Sequence, residues 1–216
     1  MSVGMVALCL CAQTPAPDQP VGGTINAQQG LPPRTSPSDY PAQTKLGMIT
    51  LAADFAGHGI PSPEGPLSTD SYLVVEVAFF GPPGTRLGMS FGDFSLRING
   101  KKNASPAVSY EQVGPSVKDP EWTPPEKPEK GGGGVGGILT GGGGGGNDTK
   151  EPPRPPAELR RLWAQHAKKA ALADGDRALP QAGLLYFSYG GNAKSLRSLE
   201  LLYAGAAGKV ALTLHP

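Results

Sequence analysis

Two stretches with the alternation of β-strands, residues 45–114 and 179–216, are held apart by residues 115–178, which are rich in proline and glycine. A chain that stops its strand pattern and later resumes it builds either two small domains or one domain with a long insertion. Each stretch alone is short of a self-sufficient core. Together they approach the ~100 residues of one two-layered antiparallel domain. One interrupted β domain is therefore the expectation.

The chain holds 32 glycines and 24 prolines in 216 residues, close to the range of low-complexity sequence. The excess falls at 13–44 and 115–156. Residues 13–44 carry few large apolar side chains, cannot offset chain entropy by burial, and read as a disordered Pro-rich tether. Before them, Val3 to Ala12 is an apolar run with the length of a signal-peptide core, too short to span a bilayer. Residues 1–12 thus read as a signal peptide, although no Lys or Arg precedes Arg34. Both cysteines, Cys9 and Cys11, lie inside that run, so a processed chain has neither disulfides nor thiol chemistry. The expected location is outside the cell or in the periplasm and envelope. The net charge of +1 gives no electrostatic case for nucleic acid or a membrane surface.

Within 45–114, Ile49, Leu51, Ala53 and Phe55 share one strand face. The strongest strand is Tyr72 to Phe80, with Leu73, Val75, Val77 and Phe79 inward and Tyr72, Glu76 and Phe80 outward. Gly81-Pro82-Pro83-Gly84 ends it as a turn, and Asn99-Gly100 after Phe94 to Ile98 is a hairpin signal. After the insertion come Leu184 to Tyr189, Leu199 to Tyr203 and Val210 to Leu214. Short strands with turns between them point to a mainly β fold, an immunoglobulin-like antiparallel β-sandwich. The first half is 45–114 and the second 179–216. Residues 115–155 read as disordered, and 131–146 are twelve glycines in sixteen. A helix is expected over about 156–173, opened by Pro155-Pro156 and stopped by Gly175. Leu159, Leu162, Trp163, His166, Ala170 and Ala173 form its apolar stripe, and Arg161, Gln165 and Lys168 its polar side.

The segments SYLVVEVAFFG, FGDFSLRINGKK, LPQAGLLYFSYGG and SLELLYAGAAGKVALTLHP together resemble a bacterial extracellular immunoglobulin-like (telokin-like) domain family. Phe94, Leu96, Gly100 and Lys101 match its hairpin, and Leu179, Pro180 and Gly183 its turn. The resemblance covers about half the chain and departs from the family at the insertion. It implies a secreted or cell-envelope accessory module of unknown activity. No catalytic residue carries over, because the matching positions are structural.

Catalytic signatures are missing from the residue pattern. His58, His166 and His215 lack metal-ligand spacing and a neighbouring nucleophile in sequence. Gly131, Gly133 and Gly136 satisfy a dinucleotide fingerprint only because polyglycine does so trivially, and Asn147 stands where a phosphate loop needs Lys. Asp54, Asp70 and Glu76 are candidate carboxylates for acid–base work, yet they read as strand ends and a solvent face. No cofactor or metal is expected. The favoured function is a non-enzymatic binding or structural module acting on an envelope or extracellular protein. One alternative acts through the helix, with Leu159, Leu162, Trp163 and His166 docking on a partner. Another is a divergent hydrolase or metal-dependent enzyme. For the helix itself, folding back onto the β domain is preferred over docking elsewhere, because so short a helix is marginal alone in water.

Overall fold

A computed structural model describes residues 1, 29–63, 65–125 and 154–216. In chain order its elements begin with β1 (Ala42–Leu46), β2 (Ile49–Gly57), β3 (Gly59–Ile60), β4 (Leu67–Thr69) and β5 (Tyr72–Phe80). They continue with β6 (Arg86–Met89), β7 (Phe94–Ile98), β8 (Ser105–Val108), α1 (Tyr110–Val113) and β9 (Val117–Lys118). Then come α2 (Ala157–Ala170), β10 (Gly175–Ala178), β11 (Gln181–Ser188), β12 (Leu199–Gly205) and β13 (Gly208–Leu214). The expected signal peptide, its two cysteines and the glycine tract lie outside the described residues.

Eight strands form one antiparallel sheet in the order β1-β2-β5-β11-β8-β7-β12-β13. The outermost strands, β1 and β13, come alongside each other without pairing, so the sheet is a nearly closed barrel. Strands from before and after the insertion interleave. β11 pairs with β5 along its whole length, from Gln181↔Phe79 to Ser188↔Tyr72, and with β8 through Phe187↔Ala107. β12 pairs with β7, Leu201 facing Leu96. The sequence leads one to expect two separate sheets. β8 is what joins them: it bonds to β11 on one side and, through Ser105 and Pro106, to β7 on the other. A strand shared by both layers turns the pair into one curved surface.

Inside, the alternating residues of β5 meet those of β7 and β12. Phe79, Phe94 and Tyr203 form an aromatic centre, with Phe79 and Tyr203 rings 5.4 Å apart and Phe94 and Tyr203 rings 4.9 Å apart. Such tilted pairs add to the burial of their area. Leu73, Val75 and Val77 complete the inward face, as the alternation requires. The outward face of β5 and β11 is not solvated. Val74, Leu184 and Tyr186 are buried beneath α2. Ala78 and Ala182 are buried with Tyr40 of the N-terminal arm. A third layer thus covers part of the barrel.

Three segments depart from the sequence reading. The part of the supposed tether at 29–44 is packed: Leu31 bridges Ala182, residues Pro37–Asp39 make a capped turn, and β1 begins at Ala42. Its prolines limit hydrogen bonding but not docking, and Tyr40 gives it an anchor. At the head of the insertion, Gly114–Ser116 is a turn and β9 pairs with β4, so disorder does not start at 115. The helix ends at Ala170, short of Gly175. There the chain leaves it to pair with β11, Leu172 N–H donating to Leu184 O at 2.9 Å. Gly175 instead opens β10, which pairs with β6.

Gly183 makes that crossing feasible. A Cβ there would press on the Leu172 backbone, 2.6 Å from its nitrogen. Backbone on both sides leaves nothing flexible to yield. Gly183→Ala is expected to lower stability by roughly 1–3 kcal/mol or more and to loosen α2. Urea titration followed by tryptophan emission reads both effects. Unchanged stability would mean that residues 171–172 do not cross β11 at this point.

Candidate functional site

The elements that cover the barrel also create its concave surfaces. α2 owes its position to an apolar stripe: Trp163, Ala167 and Ala170 are buried, and Leu159 is partly buried beside them. Trp163 is only 5% exposed, packed in a cluster with Ile60, Val113 and Leu184. Tyr186 of β11 donates its hydroxyl to Ala167 O at 2.9 Å, tying sheet to helix. Of the four residues considered for partner docking, Trp163 therefore faces the body. Leu159, Leu162 and His166 are half-buried. His166 Nδ1 lies 2.9 Å from Ser62 Oγ in the Pro-rich loop between β3 and β4.

That contact joins residues far apart in sequence and is the one nucleophile–base pair the fold assembles among the described residues. A Ser–His pair needs a group to orient the imidazole and donors for an oxyanion. Among the described residues no carboxylate hydrogen-bonds to His166. The pair closes the loop onto the helix.

The candidate carboxylates are also brought together. Asp54 and Glu76 are directly opposed in the β2–β5 register. Arg34 from the arm bridges them, its Nη2 2.6 Å from Asp54 Oδ2 and 2.9 Å from Glu76 Oε2. Nη1 donates to Asp39 O at 2.7 Å, and the guanidinium sits 4.3 Å from the centre of the Tyr40 ring. Partial burial pulls the Arg34 pKa down, but the two carboxylates more than compensate and hold it above its ordinary value. This cation occupies both carboxylates of the pair that acid–base chemistry would need and offsets one of their two charges. Sequence reasoning missed it because Arg34 lies in a segment read as a tether. Asp70 pairs with Lys118, and His58 Nδ1 is 2.7 Å from Tyr72 O. Among the described residues no group of three or more His, Cys, Asp or Glu is placed to hold a metal, and no helix is long and apolar enough to cross a membrane.

Tyr40 and Tyr186 report the covering layer, and Tyr203 the barrel interior. Burial, with Glu76 nearby, pushes the Tyr40 hydroxyl up to about 12. Burial also raises Tyr186 and Tyr203. The folded chain holds these protons more tightly than the unfolded one. Their stabilising effect is complete below the unfolded tyrosine value of ~10 and is lost as pH climbs above it. Replacing any of the three with Phe should leave the phenolate absorbance of the native protein unchanged. Only the amplitude released on alkaline unfolding should fall. A loss of native-state amplitude would place that hydroxyl in solvent.

Two grooves flank α2. One, of ≈ 510 Å³, runs between α2 and the α1 turn, over Gly114, Pro115, Ala157 and Ala164. The other, of ≈ 360 Å³, lies between α2, the arm at Leu31 and Pro32, and the loop prolines Pro61 and Pro63. No family model, curated protein or solved structure matches the chain.

Proposed function

We propose that the protein is a non-enzymatic binding or structural module, secreted or held in the cell envelope, that acts by contact with another protein. The observation that carries this reading is the closure of its polar clusters. Asp54 and Glu76 are bridged by Arg34, and every buried side-chain nitrogen or oxygen among the described residues has a hydrogen-bond partner. A hydrolytic site leaves a general base and a polarising group facing a cleft. Here the clefts beside α2 are lined mainly by small, proline and basic residues; His166 lines the second, hydrogen-bonded to Ser62 and with no carboxylate among the described residues to orient it. The resemblance to immunoglobulin-like modules is supported by Phe94, Leu96, Gly100 and Lys101 around the β7 turn. The apolar run before Ala12 supports export.

The test has two arms. Full-length protein expressed in a bacterial host should reach the envelope or medium with its N-terminus trimmed near Ala12, as read by mass spectrometry. Purified protein should show no ester or peptide hydrolysis that depends on Ser62. Retention in the cytoplasm with residues 1–12 intact would contradict export. Turnover abolished by Ser62→Ala and by His166→Ala would replace the module with a hydrolase built on that pair.

A further inference from the structure

We infer that the groove between α1 and α2 is a docking site for an acidic, extended peptide segment of a partner protein. This rests on the reading of the protein as a binding module and names the surface and the charge of what it binds. The helix's apolar stripe is spent on the sheet, so a partner meets its opposite side. That side is basic. Arg160, Arg161 and Lys168 line the groove, against a single acid, Glu111. On the sheet and its hairpins, Arg86 and Arg97 are paired with Asp176 and Glu200. Among the described residues no carboxylate pairs with Arg160, Arg161 or Lys168. Lys168 is also positioned, its Nζ 5.3 Å from the centre of the Tyr110 ring.

The floor has the complementary property. Gly114 approaches α2 so closely that a Cβ on it would lie 3.2 Å from Ala164 Cβ. That contact seats the α1 turn firmly against α2 and fixes the floor, and the groove of ≈ 510 Å³ above it has room for an extended backbone. Three cations along one wall suit carboxylates spaced along an extended chain, where alternate side chains point the same way. A membrane surface fits less well. The large apolar side chains exposed among the described residues are Met1 and Met48, neither of them on α2, so the helix offers no anchor to insert.

The experiment uses the full chain and a fluorescein-labelled peptide alternating Asp and Ala, followed by anisotropy at about 0.15 M ionic strength, where charges more than ~8 Å away are largely screened. Saturable binding is expected, lost when Asn replaces Asp. Arg160→Glu, Arg161→Glu and Lys168→Glu together should weaken it on the order of tenfold or more. The same reversals at exposed Lys101, Lys102 and Lys209 should change it less than about twofold. If the first triple variant fails to fold, Arg161→Gln with Lys168→Gln carries the comparison, with thermal unfolding as the control. Equal weakening by both triples, or no saturable binding, overturns the inference. So does binding to phosphatidylglycerol vesicles that depends on the three α2 cations while the peptide does not bind. If export and the lack of Ser62-dependent turnover hold while the peptide fails, this groove is eliminated and the module reading stands.

Discussion

Phe79→Ala is expected to lower stability by roughly 3–5 kcal/mol, the range for truncating a fully buried aromatic side chain. Phe79 is 0% exposed and packs against both Phe94 and Tyr203 at the junction of β5, β7 and β12. Its removal takes one ring from a three-ring centre and leaves a cavity that the closed sheet cannot collapse to fill. Phe80, one residue on, packs on the other face against Tyr40 and is only partly buried. Phe80→Ala should cost clearly less. Urea titration of both variants measures the difference. A Phe79→Ala loss below about 1 kcal/mol would mean a strand register shifted by one, with Phe80 inside.

Trp163→Ala carries the second large effect, again roughly 3–5 kcal/mol in a denaturant titration of dilute protein. The side chain is nearly fully buried at the centre of a second cluster, on the outer face of the same strands. A helix of this length has little stability alone, so what holds it is this packing and the Tyr186 bond to Ala167 O. Losing Trp163 should release α2, and with it the groove that α2 builds against α1. Unchanged stability would show that the helix is not seated on the barrel.

The inward half of the fold was legible because β-strand side chains alternate. Leu73, Val75, Val77 and Phe79 are buried together, as their spacing requires. The outward half was misread by the same rule. Val74, Ala78, Leu184 and Tyr186 fall on the face that alternation assigns to water, yet all are buried. The signal was in the sequence: Leu184 to Phe187 is apolar without interruption, and Glu76 is the one charged residue of β5. Such runs mark strands covered on both faces.

The covering pieces were harder to place. Pro-rich composition argues against a core of its own, and residues 29–41 have none. They are ordered by what they dock on, through Leu31, Arg34 and Tyr40. β10 contains Gly175 and Asp176, both poor strand formers, and owes its conformation to pairing with β6. The Ser62–His166 contact and the Arg34 bridge join residues remote in sequence, so no local spacing announces them. The stripe of α2 was readable in part, with its preference for folding back: Trp163 and Ala170 are buried as expected, but so is Ala167, which the expected stripe leaves out, while Leu159, Leu162 and His166 are half-buried and Ala173 lies beyond the helix. Which side would face a partner followed only once the stripe was seen to be covered.

Amide hydrogen exchange read by mass spectrometry tests most directly whether the interrupted chain returns as one body. Peptides from α2, from β5 and from β11 should be protected together and lose protection together as denaturant is added, because α2 is seated on Val74, Leu184 and Tyr186. Exchange of α2 within seconds, while β5 and β11 remain protected, would show a helix free of the barrel and would contradict the account.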